Sequence, residues 1–477
     1  MSASPSFANT LEQGSIIPLT ITALTGTGDG LGHYDNQVVF VPNTAPGDQI
    51  EVRLVRVKRS HATGLLHSLV EPSPVRVDPA CFVADKCGGC QWQQVDYDAQ
   101  LLAKQQIAQD ALQRLGGFDL LPTEPILGSE DTLHYRNKAT YPIQGRADGG
   151  LKAGYYRRGS HQLINLNQCP IQDVNLDPFL AEIKHDLQST GWQPYDEKTH
   201  RGSLRHLALR VGRSSGEVLL TLVSRDLNLP NLEDWADRWM GRYSSLVGVC
   251  LNINPEKTNA IFGAETQVIQ GRSALRETFA GYTVWVDSTS FFQVNTEQAE
   301  RFFDWIVAQM NLTGSETVVD AYCGIGTFSL LIAQKVKQVI GIESLPDAVR
   351  QARHNSRYNH TDNISFIEGS VENELPTIPP ADIVVLDPPR KGCDVVVLET
   401  LLRRQPQQIV YISCHPATLA RDLKILTATG EYTLMAWRAA DFFPQTAHVE
   451  CVAFLVRKGA AQPPSERASI DGLATDA

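Results

Sequence analysis

The chain lacks any run approaching the ~18 consecutive apolar residues that a membrane-spanning helix needs, so a spanning segment is not expected. Its first residues, MSASPSFANTLEQGS, have neither the basic stretch nor the apolar core of a secretory signal. Net positive charge is missing too: the formal charge is −11. A nucleic-acid binder ordinarily shows a basic footprint, because phosphate contacts supply much of its affinity. The overall figure averages over the whole surface, however, and local segments differ. Residues 51–61 (EVRLVRVKRSH) set Arg53, Arg56, Lys58 and Arg59 against Glu51 alone, and further basic groups are Arg157 with Arg158, the series Arg201, Arg205, Arg210 and Arg213, and Arg390 with Lys391. Charge therefore neither establishes nor excludes an RNA partner. With 42% apolar and 20% charged residues the composition is that of a soluble globular protein, and 477 residues exceed what one core holds, so two or three domains are expected. The default expectation is a cytoplasmic, monomeric enzyme with no membrane partner.

Residues 1–12 read as a polar, disordered tail. From 13 to 72, short β-like runs (IIPLTITAL, QVVFVP, IEVRLVRVKR) are broken by glycines, and about five strands in so few residues suggest a small closed barrel. Alternation in the last run puts Val52, Leu54, Val55 and Val57 partly on one face, with arginines opposite or between. The stretch GTGDGLG followed by VFVPNTAPGD resembles a TRAM domain, an OB-like RNA-binding barrel. Residues 73–275 form a β-rich, irregular central region. Within it YDAQLLAKQQIAQDALQRL predicts an amphipathic helix from about residue 97 to 115, ended by Gly116 and Gly117, that packs on the catalytic domain. From 276 to 458 strands and helices alternate in the α/β manner, and 459–477 read as a second disordered tail.

Nine cysteines occur, and in a cytosolic chain metal ligation or catalysis explains them better than disulfides. Cys81, Cys87 and Cys90 form C-x5-C-G-G-C, with two glycines that let the backbone wrap closely; Cys169 is followed by proline. Four thiolates suit either a 4Fe-4S cluster or an all-cysteine zinc site. Zinc sites usually pair two short knuckles and Cys169 has no such neighbour, which favours the cluster. The spacing also differs from that of radical S-adenosylmethionine enzymes, and four ligands leave no iron open. A structural or RNA-organising role is expected.

The segment ETVVDAYCGIGTFSLLIAQKVKQVIGIES reads strand, glycine turn, helix, strand. Only G-I-G is present, with no third glycine; an acidic residue, Glu343, closes the second strand, where such residues bind ribose hydroxyls. With Asp320 before it, this shortened turn suits S-adenosyl-L-methionine, which has no phosphate to cradle. Downstream, ADIVVLDPPRKG places Asp387 at the carboxyl edge of the sheet, where ligands bind in open α/β folds. Amino-methyltransferases carry an aromatic after D-P-P; Arg390 stands there instead, which argues against N-methylation.

After another strand, QQIVYISCHPATLARDL puts Cys414 on a loop at the same edge, before a helix whose positive end is expected to lower the thiol pKa. A thiolate there suits covalent catalysis on uracil: addition to carbon 6 makes an enolate whose carbon 5 attacks a methylsulfonium. The carbon 5 proton then needs a base, and Glu450, at the start of the final strand, is the candidate.

Together FFQVN, DAYCGIGTFSL, LDPPRKG, YISCHPATLARD and FPQTAHVE resemble the uracil-5-methyltransferases of ribosomal and transfer RNA, over about residues 14–458. The resemblance is closest to the bacterial 23S ribosomal RNA members that combine a TRAM barrel, a four-cysteine iron–sulfur cluster and a methyltransferase domain. It implies cofactor contacts from Gln293, Tyr322, Glu343 and Asp387, a uracil site lined by Phe291, Cys414 as nucleophile, Glu450 as base, and Cys81, Cys87, Cys90 and Cys169 as cluster ligands. Two positions depart from the family pattern: His415 stands where Asn or Asp is usual, and Ser370 where several relatives have Asn or Asp near the adenine. The same chemistry on transfer RNA, and a non-catalytic RNA-binding iron–sulfur protein, are the alternatives the sequence leaves open.

Overall fold

The computed structural model describes residues 11–119, 124–146 and 148–460. Most of the two expected tails, residues 1–10 and 461–477, therefore lies outside the described residues. The N-terminal region is a closed five-stranded barrel in the order Ile16–Leu24, Gly30–Tyr34, Gln37–Val41, His61–Glu71, Gln49–Val57. Period-two alternation fills its interior with Ile17, Leu19, Ile21, Ile50, Val52 and Leu54. The expectation for Val55 is corrected: alternation with the inward Val52 and Leu54 turns Val55 outward, where it is 40% exposed, and a register shift between Leu54 and Arg56 leaves Arg56 outward as well.

The predicted helix is present as Tyr97–Ala111, capped by Asp96, which accepts a hydrogen bond from the Asp98 N–H. A π-helical turn, Leu112–Gly116, extends it, and Gly117 ends it at φ +77°, the left-handed conformation glycine adopts freely. Ala108 and Leu112 are buried in one cluster with Leu419, Leu423 and Tyr432 near the other end of the chain. Lys104, on the same helix, is fully buried and donates to Asp441 at 2.5 Å and to the Phe443 carbonyl at 3.0 Å.

The central region is a seven-stranded sheet, ordered Glu265–Gly271, Leu246–Ile253, Val218–Ser224, Leu204–Val211, Lys138–Gly145, Leu151–Tyr156, Leu163–Asn165. Its apolar face packs against the helices Asp177–Leu187 and Leu232–Arg242. A hairpin, Ala274–Phe279 with Tyr282–Asp287, leads to the helix Thr296–Gln309 and then to a second seven-stranded sheet. That sheet runs Ile364–Glu368, Gln338–Glu343, Thr317–Ala321, Ile383–Leu386, Gln408–Ser413, Glu450–Arg457, Tyr432–Ala440. The first five strands are parallel; Glu450–Arg457 and Tyr432–Ala440 close the edge antiparallel. This is a Rossmann-like α/β fold. Chain order reverses between Thr317–Ala321 and Ile383–Leu386, and such a switch point opens a crevice at the carboxyl ends of the strands. No helix among the described residues is long and apolar enough to cross a membrane.

The Lys104–Asp441 pair makes a direct stability prediction. Removing one partner leaves an uncompensated buried charge, so Lys104→Met is expected to destabilise by about 3–5 kcal/mol. Lys104→Met combined with Asp441→Leu should recover most of that loss. Thermal and urea unfolding of the three proteins measures both.

Candidate active site

The carboxyl edge of the second sheet gathers most of the residues singled out above. Asp387 follows Leu386, which pairs with Ala321 on one side and Tyr411 on the other, so Tyr322, Asp387 and the 412–414 segment emerge side by side. The antiparallel register pairs Ser413 with Cys451, which sets Glu450 next to Cys414.

The glycine turn is held in an unusual backbone. Tyr322 (φ +67°), Gly324 (φ +55°) and Gly326 (φ +83°) are all left-handed. A Cβ on Gly326 would meet Phe366 at 3.0 Å and Ala352 at 3.2 Å, so only glycine fits the close approach of turn and helix. Glu343 ties the turn to the second strand: its carboxylate accepts the Gly324 N–H at 3.1 Å and the Leu345 N–H at 2.8 Å. A carboxylate offers about four lone-pair sites, so it keeps capacity for a ligand's hydroxyls. Beneath the turn Asp320 accepts from Ser329 Oγ at 2.5 Å, and burial pushes it up to about 7. Leu345, 63% exposed beside Glu343, is a feature the sequence reading missed; its signal is an apolar side chain left open just after the acidic strand end. Ser370 occupies the N-cap position of the short helix Val371–Glu374, without a side-chain capping hydrogen bond.

Cys414 is half-buried between its strand and the helix Pro416–Thr427. His415 is the N-cap of that helix, its ring nitrogen accepting the Thr418 N–H at 3.4 Å. The departure at this position therefore keeps a capping acceptor in place. The expected lowering of the thiol pKa is overturned. Burial pushes Cys414 up to about 11, the charges of Glu450 and Asp387 push the same way, and Arg390 only partly opposes them. Glu450 keeps some exposed surface, yet the surrounding protein, with Asp387, raises it to about 8, again against Arg390. Asp387 itself is raised to about 7 by burial and then by Asp320. A thiol, three carboxyls and one guanidinium thus form a single coupled group. Arg390 is the member whose place in it the sequence did not reveal, since a residue's spacing along the chain says nothing about whose charge it faces.

Phe291 and Gln293 stand on a neighbouring segment. Phe291 is 70% exposed. The Gln293 carbonyl accepts from Asn137 Nδ2 at 2.9 Å, which fixes this segment to the central sheet. Asn295 caps the helix Thr296–Gln309 and reaches the Phe442 carbonyl at 3.5 Å, on the path to Glu450.

The four cysteines of the central region lie within electrostatic reach of one another. Burial raises Cys87, and takes Cys90 and Cys169 up to about 12, with the other thiols adding to each rise. Gly88 is pressed against the end of Leu151–Tyr156: its N–H donates to the Tyr156 carbonyl at 3.0 Å, and a Cβ there would lie 3.1 Å from that oxygen. Among the described residues no group of three or more His, Cys, Asp or Glu is gathered tightly enough to hold a metal ion as it stands. The donor chemistry fits a four-thiolate group; the present side-chain positions require closure around it.

A thiol pushed up to about 11 reacts slowly as a nucleophile near neutrality, because the thiolate is the reactive form. Iodoacetamide should modify Cys414 in the ligand-free protein more slowly than a free cysteine at pH 7.5, accelerating as pH rises past 9. Glu450→Gln removes one charge that holds the proton on, so it should shift that acceleration to lower pH. Peptide mapping by mass spectrometry reads both.

Comparison with known proteins adds the following. Residues 264–378 and 380–458 match the family model described as tRNA (uracil-5-)-methyltransferase, and residues 10–66 match the TRAM domain. An RNA methyltransferase of Nostoc sp. is 54% identical over 451 residues, covering 94% of this chain and 98% of the relative. One of Synechocystis sp. is 52% identical, covering 93% and 96%. Among solved structures, the Pyrococcus abyssi tRNA (uracil-54, C5)-methyltransferase in complex with S-adenosyl-L-homocysteine superposes with a TM-score of 0.73 at 28% identity, over 92% of this chain and 100% of that one.

Proposed function

The chain belongs to the RNA uracil-5-methyltransferase family, and from that premise we propose that it transfers the methyl group of S-adenosyl-L-methionine to carbon 5 of a specific uridine in 23S ribosomal RNA, in the cytoplasm. The observation that carries the chemistry is the strand register that sets Glu450 beside Cys414 at the crevice edge, next to Asp387. Cofactor binding is supported by the tight turn at Gly326, the Glu343 carboxylate and the exposed Leu345.

The Cys414 thiol gives its proton to water, and its sulfur bonds to carbon 6 of the uracil held near Phe291. The carbon 5–carbon 6 π electrons move into an enolate. Carbon 5 then bonds to the donor methyl as the methyl–sulfur bond of the sulfonium breaks. Glu450 takes the carbon 5 proton, the electrons re-form the double bond, and Cys414 leaves as thiolate. Gln293, Tyr322 and Asp387 are assigned to hold the cofactor. Because Glu450 sits at about 8, it is mostly protonated at pH 7 in the resting protein and becomes a competent base as pH rises.

We further assign Cys81, Cys87, Cys90 and Cys169 as ligands of a 4Fe-4S cluster with a structural role, on the strength of their number, their mutual electrostatic reach and the close backbone approach at Gly88. Transfer RNA is the second reading of the substrate, favoured by the name of the matching structural neighbour. Incubation with unmodified ribosomal and transfer RNA plus labelled cofactor, followed by mapping of the methylated nucleotide, separates the two.

Cys414→Ala should bind cofactor and transfer no methyl, while the wild type should form a denaturation-resistant adduct with 5-fluorouridine RNA. Glu450→Gln keeps size and hydrogen bonding but accepts no proton. It should stall with methylated uridine bonded to Cys414, seen as a protein–RNA band on a denaturing gel, and turn over about 10²–10⁴-fold more slowly. Its kcat, which includes the proton-removal step, should also rise less steeply between pH 7 and 9 than that of the wild type. Near-wild-type turnover by either variant overturns the roles. Protein purified without oxygen should be brown and carry about four irons per chain; colourless protein with one zinc overturns the cluster.

A further inference from the structure

Arg210 is a buried charged side chain with two unpaired nitrogens among the described residues. It is 3% exposed, its Nη2 donates to the Ser290 carbonyl at 2.5 Å, and its Nε and Nη1 have no partner among the described residues. A guanidinium carries five donors, and burying unmatched ones is costly, so a purely structural arginine would use more of them. The acids that face it are already engaged: Glu277 accepts from the Arg213 and Ser214 N–H groups, and Asp287 from Ser273 Oγ.

The sheet register explains why other cations gather here. Lys138 pairs directly with Arg210, Thr140 with Ala208, and Pro142 with His206, so all six share one face. The alternate residues Ala139, Tyr141, Leu207 and Leu209 fill the core on the other face. Lys138 Nζ lies 5.0 Å from the centre of the Phe262 ring, and Arg136 donates through Nε to the Lys138 carbonyl at 3.0 Å. Burial and the two neighbouring guanidinium groups disfavour the Lys138 ammonium strongly. Two guanidinium groups and the Lys138 amine are thus crowded together, with two enclosed Arg210 nitrogens left unpaired among the described residues. The Ser290 carbonyl that holds Arg210 immediately precedes Phe291, whose ring is 70% exposed.

We propose that Arg210, Lys138 and Arg136 form an anion site that takes a phosphodiester group of the RNA strand adjoining the nucleotide at Phe291, a proposal that rests on the RNA-modifying function above. A phosphate there supplies acceptors for the free guanidinium nitrogens. The exposed Phe291 ring supplies a stacking surface on the same segment, the combination that single-stranded nucleic acid favours.

The test uses the full-length protein, a short uridine-containing single-stranded RNA read by fluorescence anisotropy, and inorganic sulfate read by thermal shift. Arg210→Gln and Lys138→Gln should each weaken RNA binding about tenfold and make the salt dependence shallower by about 0.7 in log–log slope for one lost phosphate contact. Melting temperature should hold or rise, because a poorly compensated buried cation is removed. Sulfate should stabilise the wild type and leave the double variant unaffected. Folded Lys138→Gln with unchanged affinity and slope overturns the site, as does a sulfate response with unaltered RNA binding, which would mark a site for free oxyanions alone. Should the wild type bind RNA and show these differences yet methylate no uridine, the functional reading fails while the anion site stands.

Discussion

The antiparallel pairing of Gln408–Ser413 with Glu450–Arg457 is the constraint on which the rest of the site depends. Side chains in a strand alternate faces, so a slip of one residue would carry Glu450 to the opposite side of the sheet and away from Cys414. Several parts of the fold hold that register. The strand Tyr432–Ala440 pairs along the outer edge, with Ala440 opposite Glu450. The loop between these strands is pinned from a distant part of the chain, by the buried Lys104–Asp441 pair and by the Gln445 carbonyl, which accepts the Gln91 and Trp92 N–H groups.

That last contact links the cysteine-rich segment to the catalytic loop. Cys90 immediately precedes Gln91, so whatever organises the four thiols also fixes the backbone that holds residues 441–449 in place. The helix Tyr97–Ala111 carries the same linkage further, burying Lys104 and Gln100 against Asp441 and Gln445. The proposed cluster would thereby have a physical route to Cys414 and Glu450 through hydrogen bonds.

Low dielectric sets the chemistry of the resting state. A helix N-terminus favours a thiolate by a modest amount, whereas burial beside two carboxyl groups disfavours it by more, and the second effect wins at Cys414. The same surroundings raise Asp387 to about 7 and Glu450 to about 8, so both carboxyls titrate near neutrality. Arg390 is the one cation in the group and biases both Cys414 and Glu450 toward ionisation.

Much of this was legible in the sequence. Period-two runs between glycines gave the barrel, the helix at 97 to 115 was placed to within a residue or so apart from its π turn, and the strand–turn–helix around G-I-G, the D-P-P strand end and the loop cysteine lie at one sheet edge. These are local signals: each depends on residues a few positions apart, and chain chemistry at that range is nearly independent of the rest of the fold. What tertiary structure decided is what distant residues do to one another. The outward turn of Arg56 follows from a bulge against His61–Glu71, the raised Cys414 from burial and from carboxyls 27 and 36 positions away in the sequence, and the crowding of Arg136, Lys138 and Arg210 from a strand pairing across some 70 residues. Burial and charge act through space, and no pattern along the chain records which faces will meet.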